Sequence, residues 1–382
     1  MGNRIGQSDS GIVLVRKALA KPGAGVLEAT RMKFGLFYLP TYLPDQRDAH
    51  THMHNIVEQV EYADKIGIDY VWMVEHHFVR HGGFLSANYA FLSYLAGRTQ
   101  NIRLATGATV MALNDPVRVA EHAATLDQLS NGRFDLGVGR GFIRDEFDSF
   151  GVPMRESRER VEEGVDLVRK AWSGQPLEFE SRFRPDMSGL PVLPPTLQNE
   201  PKIWNACLMS PESFEWTAQQ GHNLLYVAYH VDHELATERI SWYREALSKY
   251  GRKVEDHEVC CVYHAYFMEE PDDDRLKVVV DGPMGEYGVA GKEAARKPPD
   301  PEAYKGYDQR DKGTQQLSFD RYFPGRVVMG GPDQVVERIH ELRRIGITQV
   351  SFLLDFGSLS QDEIMKSLNV FGDRILPLVR DI

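Results

Sequence analysis

The sequence predicts an α/β protein folded as a (β/α)8 (TIM) barrel, on the basis of three observations. Short apolar segments alternate with amphipathic helical segments from residue 32 to the end of the 382-residue chain. The apolar segments are continuous rather than alternating in polarity, which is typical of parallel strands covered on both faces. Eight such strand–helix units are present, and eight units close a barrel. One barrel domain can therefore contain all of residues 32–382.

Each predicted element follows from its sequence pattern and its boundary residues. The predicted strands are 33–39, 70–74, 102–111, 134–138, 202–206, 224–227, 259–268 and 349–354. The predicted helices are 53–66, 88–96, 116–129, 157–172, 210–221, 232–250, 333–344 and 362–378. The third helix has the clearest boundaries, because Asp115 can cap its N-terminus, Pro116 suits its first turn and Gly132 follows its end.

Three segments fall outside this alternation. Residues 1–31 carry few structural patterns, and we interpret them as a disordered N-terminal extension. Residues 174–201 are rich in proline and are expected to lie over the barrel surface as an insertion. Residues 281–323 are polar, contain Gly and Pro and lack periodicity, so we predict a long mobile lid without regular structure.

Composition and charge exclude several classes of protein. The formal net charge of −11 argues against nucleic-acid binding, which normally needs a basic surface. No run approaches the roughly 18 apolar residues that span a bilayer, so no membrane segment is predicted. Only three cysteines occur, and Cys260 and Cys261 lie in an apolar run that is typical of a core. We therefore expect a cytoplasmic protein in a reducing environment.

A set of cationic and hydroxyl residues follows two predicted strands and indicates an anion site. Arg140 lies in a Gly-rich turn, 137–141, at the carboxyl end of a strand, where barrels bind ligands. Arg158 lies in the first turn of the next helix, and Ser210 and Ser213 open another helix, whose amides could hold a phosphate. Together the four residues would suit one phosphate monoester. Taken singly, each also fits a structural role: a tight turn, a solvated charge or a helix cap.

Glu75-His76-His77 follows the second predicted strand. Neighbouring histidines on an extended chain point in opposite directions, so they cannot easily bind one ion together. No other residues with metal-ligand spacing accompany them, and we predict no metal site. At this end of a barrel strand, one histidine is expected to face the mouth as a proton donor or acceptor, with structural packing as the alternative.

Longer motifs extend this pattern along the chain. They are Met32-Lys33-Phe34-Gly35, Trp72-Met73-Val74-Glu75-His76-His77-Phe78, Pro116-Val117-Arg118, Leu126-Asp127-Gln128-Leu129-Ser130-Asn131-Gly132-Arg133-Phe134, Gly139-Arg140-Gly141, Phe150-Gly151, Ser157-Arg158, Glu215-Trp216-Thr217-Ala218 and Lys305-Gly306-Tyr307-Asp308. In this order they resemble the bacterial luciferase α subunit and the wider luciferase-like flavin monooxygenases. The resemblance covers nearly all of residues 32–382 and implies a (β/α)8 barrel that uses reduced FMN and oxygen.

The resemblance also implies roles for individual residues. His76 matches the catalytic histidine of the family. Arg140, Arg158, Ser210 and Ser213 match the residues that contact the FMN phosphate.

Further positions are expected to lie beside the flavin. Gly107-Ala108 matches the site of the family's non-proline cis peptide under the flavin ring. Met209 stands where the luciferase α subunit has a glutamate beside the phosphate, so a carboxylate is lost while the local backbone contact remains. Gly139 replaces a reactive cysteine, which changes the room near the flavin but removes no catalytic step. Glu75 is assigned to the same cofactor site.

The implied reaction is a monooxygenation. Reduced FMN and O2 would form a C4a-hydroperoxide that oxygenates a small organic substrate, such as an aldehyde. His76 would manage the proton, and a lid that includes residues 305–308 would keep water out. The resemblance further implies a homodimer, and a flavin reductase would supply the reduced FMN.

No motif specifies the substrate. The pocket is expected to be shaped by Phe37, Tyr38, His77, Tyr226 and Tyr229 together with the lid. Two alternatives stay open at this point. One is a deazaflavin (F420)-dependent oxidoreductase, which would transfer hydride on the same barrel without oxygen. The other is a non-catalytic flavin-binding protein similar to the luciferase β subunit.

Overall fold

The structure, a computed structural model, describes residues 31–305, 307 and 319–382. Its strands are β1 (Lys33–Tyr38), β2 (Tyr70–Met73), β3 (Arg103–Thr106), β4 (Thr109–Val110), β5 (Phe134–Gly139), β6 (Leu177–Phe179), β7 (Met187–Leu190), β8 (Ile203–Cys207), β9 (Asn223–Tyr226), β10 (Val259–Phe267), β11 (Val327–Gly330) and β12 (Gln349–Leu353). Its α-helices are α1 (Ala49–Ile66), α2 (Asn88–Ala96), α3 (Pro116–Leu129), α4 (Arg144–Phe150), α5 (Ser157–Ala171), α6 (Pro211–Gln220), α7 (His233–Lys249), α8 (Asp273–Asp281), α9 (Pro283–Ala294), α10 (Phe319–Tyr322), α11 (Pro332–Arg344), α12 (Gln361–Val370) and α13 (Leu376–Val379). Apart from residue 31, the predicted N-terminal extension lies outside the described residues.

Eight parallel strands close into a barrel, which confirms the predicted (β/α)8 fold. The ring runs in the order β1, β2, β3, β5, β8, β9, β10, β12. Closure occurs at β12, where Val350 pairs with Phe34 of β1 on one side and with Cys261 of β10 on the other. Strands of such a ring all point the same way, so their carboxyl ends meet at one mouth.

The helix boundaries follow the predicted capping chemistry. The Asp115 carboxylate caps α3 by accepting the N–H of Val117 at 2.9 Å, and Pro116 occupies the first turn. Gly67 ends α1 in the left-handed conformation, at φ 86°. The start of α3 and the end of α1 therefore have hydrogen-bond partners for backbone groups that an uncapped helix would leave unpaired.

Three elements differ from the prediction. The single strand predicted over residues 102–111 is divided into β3 and β4. The helix predicted over 362–378 contains a π-helical segment, Phe371–Ile375, between α12 and α13. Strand β11 was not predicted, and it pairs with the carboxyl end of β10, where Gly330 lies opposite Phe267.

The prediction that residues 281–323 lack regular structure is wrong for the helical parts α9 and α10. The α9 helix buries Met284, Tyr287, Ala290 and Ala294 at helical spacing. Its sequence hides this pattern, because Pro283 opens it and three glycines dilute the apolar stripe. Residues 306 and 308–318 of the predicted lid lie outside the described residues.

The Pro-rich insertion, residues 174–201, contains a short antiparallel pair of strands, β6 and β7, that was not predicted. Much of it is exposed, with Leu190, Leu193 and Leu197 each more than half accessible. In the described ranges, no helix is both long and apolar enough to cross a membrane.

The barrel interior beneath the mouth is filled by aromatic rings around one carboxylate. Trp72 stacks on Tyr70 with ring centroids 5.5 Å apart and meets Trp204 edge-on at 5.1 Å. The Asp135 carboxylate accepts hydrogen bonds from the Tyr70 hydroxyl and the Trp204 indole N–H, each at 3.0 Å, and pairs with Arg103. This layer closes the barrel below the site.

Candidate active site

A cavity of about 380 Å³ lies at the carboxyl ends of the barrel strands. Its wall includes Phe37 of β1, Gly139 of β5, Cys207 of β8 and His264 of β10. Helix α9 covers it from the other side, through residues such as Tyr287. A cavity of this size and position is typical of a small-molecule site in a barrel enzyme.

His76 faces this cavity and is held by a buried carboxylate. The Nδ1–H group of His76 donates to Glu146 Oε1 at 3.0 Å, and the same oxygen accepts the backbone N–H of His77 at 2.7 Å. The Glu146 side chain is fully buried in α4, while that of His76 is 12 % exposed. This contact fixes the ring and leaves Nε2 as the nitrogen available for proton exchange.

Glu75 also lines the cavity, but its oxygens hold protein groups. Oε2 accepts the backbone N–H of Val110 at 2.9 Å, and Oε1 accepts from Asn114 Nδ2 at 2.9 Å. Oε1 lies 3.1 Å from His77 Nε2, and this hydrogen bond raises the pKa of His77. Glu75 therefore ties the end of β2 to the segment that follows β4.

The peptide bond between Gly107 and Ala108 is cis, the conformation that the resemblance implies. Both residues line the cavity between β3 and β4. The backbone is closely packed here, because a Cβ at residue 107 would lie 2.8 Å from the Phe37 ring. Gly139 is less confined, since a Cβ there would lie 3.4 Å from that of Ala108, which is close to ordinary contact. Contact of these positions with a flavin stays a prediction.

The opposite end of the cavity is cationic. Arg140, Arg158 and Ser213 line it together, as predicted from their positions after barrel strands. In the part of the chain that the structure describes, neither arginine forms an ion pair. Burial lowers the pKa of Arg140, and the neighbouring charge of Arg158 acts in the same direction. Glu162 completes this wall; burial raises its pKa, whereas Arg158 opposes the rise.

Tyr304 anchors the predicted lid segment on the cationic end. Its hydroxyl donates to the Gly141 carbonyl and also lies 2.9 Å from Ser157 Oγ. The Arg140 guanidinium lies over its ring, 4.2 Å from the centroid, and donates to the Ala303 carbonyl at 3.0 Å. Sequence reasoning did not identify Tyr304, because a single tyrosine in a polar segment gives no pattern.

Two of the predicted cofactor residues lie outside the cavity wall. Ser210 occupies the N-cap position of α6 without a side-chain capping bond, because its hydroxyl accepts from Arg158 at 3.1 Å and donates to Glu212. It therefore positions Arg158. The Met209 sulfur instead faces Arg239, whose nitrogen lies 3.5 Å away.

Some of the predicted substrate residues line the cavity and others do not. Phe37 and Tyr229 line the cavity. Tyr226, His77 and Tyr38 do not, which corrects their assignment to the pocket. The Tyr226 hydroxyl accepts from Arg239 at 3.1 Å, and the Tyr38 hydroxyl donates to Gln59 at 2.9 Å. The His77 ring packs edge-on against Phe150, at 4.9 Å between centroids.

Several wall residues were not predicted. They include His81, His264, Met284 and Tyr287, and the Tyr287 ring contacts both histidines. Their partners are far apart in sequence, so no local pattern connects them. Among the described residues, no group of three or more histidine, cysteine or acidic side chains is placed to hold a metal ion.

A closed parallel barrel, a confined imidazole and two arginines in one cavity define a (β/α)8-barrel protein with a site for an anionic small molecule. The chain belongs to the luciferase-like monooxygenase family, whose sequence pattern matches residues 32–349. This confirms the resemblance drawn from the motifs.

Named relatives span nearly the whole chain. It is 26 % identical over 360 residues to the alkanal monooxygenase alpha chain of Photorhabdus luminescens, covering 92 % of this chain and 98 % of that one. It is 25 % identical over 354 residues to the oxygenase component of the flavin-dependent trigonelline monooxygenase of Acinetobacter baylyi, covering 91 % and 95 %.

Solved structures share the fold. The monooxygenase RslO1 from Streptomyces bottropensis is 30 % identical, with a TM-score of 0.74 over 91 % of this chain and 99 % of that one. An F420-dependent secondary alcohol dehydrogenase superposes with a TM-score of 0.71 over 92 % and 100 %, at 17 % identity. At that identity the second similarity shows the fold alone.

Proposed function

We propose that the protein is the oxygenase of an FMN-dependent monooxygenase, which uses reduced FMN and O2 to oxygenate a small organic substrate. One observation carries the proposal: His76, fixed by Glu146, faces the same cavity as the cationic pair Arg140 and Arg158. The flavin-dependent relative from Acinetobacter baylyi supports the choice of cofactor. When bound, reduced FMN supplies the electrons that activate oxygen.

The cationic end fits the phosphate of FMN. Arg140 and Arg158 present two guanidinium groups without ion-pair partners in the described ranges, and Ser213 adds a hydroxyl. A phosphate dianion would relieve the repulsion between the two cations and would accept the charge-assisted hydrogen bonds that guanidinium groups form well. Ser210 holds Arg158 in place from outside the wall.

The other end fits proton transfer in a dry cavity. His76 would exchange a proton at Nε2, because its Nδ1 is engaged by Glu146. We propose that residues 281–323 act as the lid that excludes water. Within that range, Met284 and Tyr287 line the cavity and Tyr304 packs on Arg140.

We further propose a homodimer in the cytoplasm that receives reduced FMN from a separate reductase. The Acinetobacter baylyi relative is named as an oxygenase component, which supports a separate reductase. Phe78 and Phe150 are 67 % and 45 % exposed with rings 5.4 Å apart, which offers an apolar contact surface. The three cysteines are free and buried, which suits a reducing compartment. A sedimentation experiment that finds only monomer would contradict the dimer.

A cofactor comparison tests the function. The full chain is mixed anaerobically with reduced FMN or with reduced F420, and O2 consumption and oxygenated product are then followed over a panel of aldehydes and cyclic compounds. We expect product only with reduced FMN. Product formed by hydride transfer from F420 without O2 would establish the deazaflavin alternative instead.

The substitution His76→Ala tests the assigned proton donor or acceptor. We expect FMN binding to persist while product per O2 consumed falls by about 10²-fold or more, the usual contribution of a positioned acid or base. His122→Ala, on the exposed face of α3, is the matched control and should retain coupling. Coupled turnover that survives in His76→Ala would rule out this assignment.

A further inference from the structure

One histidine of the cavity wall has no role in the proposed reaction. His264 of β10 lines the wall and is 1 % exposed. Among the described residues, neither of its ring nitrogens has a hydrogen-bond partner. A buried polar group without a partner is costly, so an imidazole in this position indicates that a ligand supplies the missing hydrogen bond.

Aromatic rings surround His264 on three sides. Tyr229 and Tyr287 each meet its ring edge-on at 4.6 Å, and Phe356 does so at 5.1 Å. The two tyrosine hydroxyls lie 2.6 Å apart and hydrogen-bond to each other. The surroundings of the imidazole are therefore ring faces and edges, which suit a cyclic ligand better than a flexible chain.

The imidazole is neutral in the folded protein. Burial lowers the pKa of His264 to about 3, and no charged group contributes to this change. A neutral imidazole offers one N–H donor and one nitrogen acceptor. It can bind a carbonyl or hydroxyl oxygen, whereas it offers no counter-charge to a carboxylate or an ammonium group.

A row of rings connects His264 to the proposed reacting position. Tyr287 contacts His264 on one side and His81 on the other, at 4.6 Å between centroids in both cases. The His81 ring lies 6.4 Å from that of His76. A substrate that is hydrogen-bonded at His264 would extend along this row toward His76.

We propose that His264 recognises the substrate by hydrogen-bonding to a carbonyl or hydroxyl oxygen borne on the ring of a neutral cyclic compound. The reacting atom of that compound then lies toward His76. The identity of the reaction rests on the proposed function, whereas recognition by His264 is a binding property that can be measured without turnover.

Binding to the full chain, with FMN present, tests this recognition. The probes are cyclohexanone and 4-methylphenol, each compared by calorimetry with a counterpart that lacks the oxygen, methylcyclohexane and toluene respectively. We expect at least one oxygenated ring to bind roughly tenfold more tightly than its counterpart, as one net hydrogen bond allows. His264→Phe keeps a buried ring and should reduce this preference to about one.

Two further variants separate recognition from a general packing effect. His264→Gln retains a donor and an acceptor and should restore part of the preference. His222→Phe is the matched control, because His222 is also buried with two unpartnered ring nitrogens in the described chain but lies outside the cavity wall, against Trp216. It should keep the wild-type preference.

A nuclear magnetic resonance measurement on the wild-type protein tests the same proposal if a variant does not fold. In protein with ¹⁵N-labelled histidine, the His264 nitrogens should shift on addition of an oxygenated ring and stay unchanged with toluene. Equal binding of the oxygenated and oxygen-free rings, or a preference that survives in His264→Phe, would overturn the proposal. Failure to consume O2 would instead count against the monooxygenase function and leave this binding result standing.

Discussion

The barrel interior and the barrel mouth differ in whether a charged side chain has a partner of opposite charge. In the interior, the Asp135 carboxylate is fully buried and is matched by Tyr70, Trp204 and Arg103. At the mouth, a few residues along the same strand, Arg140 has no ion-pair partner among the described residues. One strand, β5, therefore carries a paired anion at its start and, just past its end, a cation without an ion-pair partner in the described chain.

This difference distinguishes charged groups that stabilise the fold from charged groups that are available to bind a ligand. Burial of charge costs free energy, and around Asp135 the protein offsets that cost with its own groups, whereas a bound anion would do so for Arg140 and Arg158. Arg140 and Arg158, which lack ion-pair partners in the described chain, and His264, whose ring nitrogens lack hydrogen-bond partners there, all lie in the wall of one cavity. An unpartnered polar group indicates a ligand site only where it also faces a cavity, since the unpartnered His222 lies outside this wall.

Breaking the interior pair should have the largest effect. Asp135→Asn leaves Arg103 and the indole N–H of Trp204 without their carboxylate, and we expect the free energy of unfolding to fall by about 3 kcal/mol. That is the low end for a buried pair, because the Arg103 side chain is 27 % exposed. FMN affinity of the folded protein should not change. Urea unfolding and FMN titration measure the two quantities.

The matched control is Asp148→Asn, which breaks an exposed i,i+4 pair with Arg144. Exposed pairs contribute little, so a change below about 1 kcal/mol is expected. If Asp135→Asn weakened FMN binding while leaving stability intact, the division between interior and mouth would be wrong.

A substitution at the mouth should weaken FMN binding and leave stability nearly unchanged. The change in binding free energy should be smaller than the loss of stability expected for Asp135→Asn. Arg140→Ala removes a guanidinium that would bind phosphate, so we expect the Kd for reduced FMN to rise by about tenfold to a hundredfold. Stability should change less, since Arg140 has only neutral partners, such as Ser157 and Ala303. Arg144→Ala, on the exposed surface of α4, is the control. Equal affinity in Arg140→Ala and wild type would remove the phosphate assignment.

Sequence patterning was sufficient to predict the barrel strands, but it did not predict helix α9, which covers the cavity, or strand β11. The eight ring strands are short apolar runs between helices, and their order fixes the topology. Helix α9 was missed because Gly285, Gly288 and Gly291 lower its helix propensity, so tertiary packing of residues such as Tyr287 decides its structure. Strand β11 was missed because four residues beside an aperiodic segment give too short a pattern.

The site was predictable where topology alone brings residues together. Arg140, Arg158 and Ser213 follow barrel strands, so closure places them at one mouth. Glu146 was not predictable, because its contact with His76 joins residues 70 positions apart and arises from how α4 packs on the mouth. The same holds for His264, whose missing partner is visible only once its surroundings are known.

The smallest predicted effect concerns His77, which lies beside the mouth and outside the cavity wall. Its ring is outside the cavity wall, while its partner Glu75 lines it. The hydrogen bond to Glu75, at 3.1 Å, raises the pKa of His77 above its ordinary 6.5, and the charge of Glu146 adds to the rise. Since the folded state holds the proton more tightly, this stabilisation is complete below about pH 6.5 and is lost as pH rises through the folded pKa.

We therefore expect wild type to be more stable than His77→Gln by up to about 1 kcal/mol at about pH 5.5, and by less at about pH 8.5. Urea unfolding at both pH values measures the difference. In a Glu75→Gln background the carboxylate is gone, so the pH dependence of the His77→Gln effect should nearly vanish. If it persisted there at full size, Glu75 would not be the partner that matters, and its role would be confined to Val110 and Asn114 at the cavity wall.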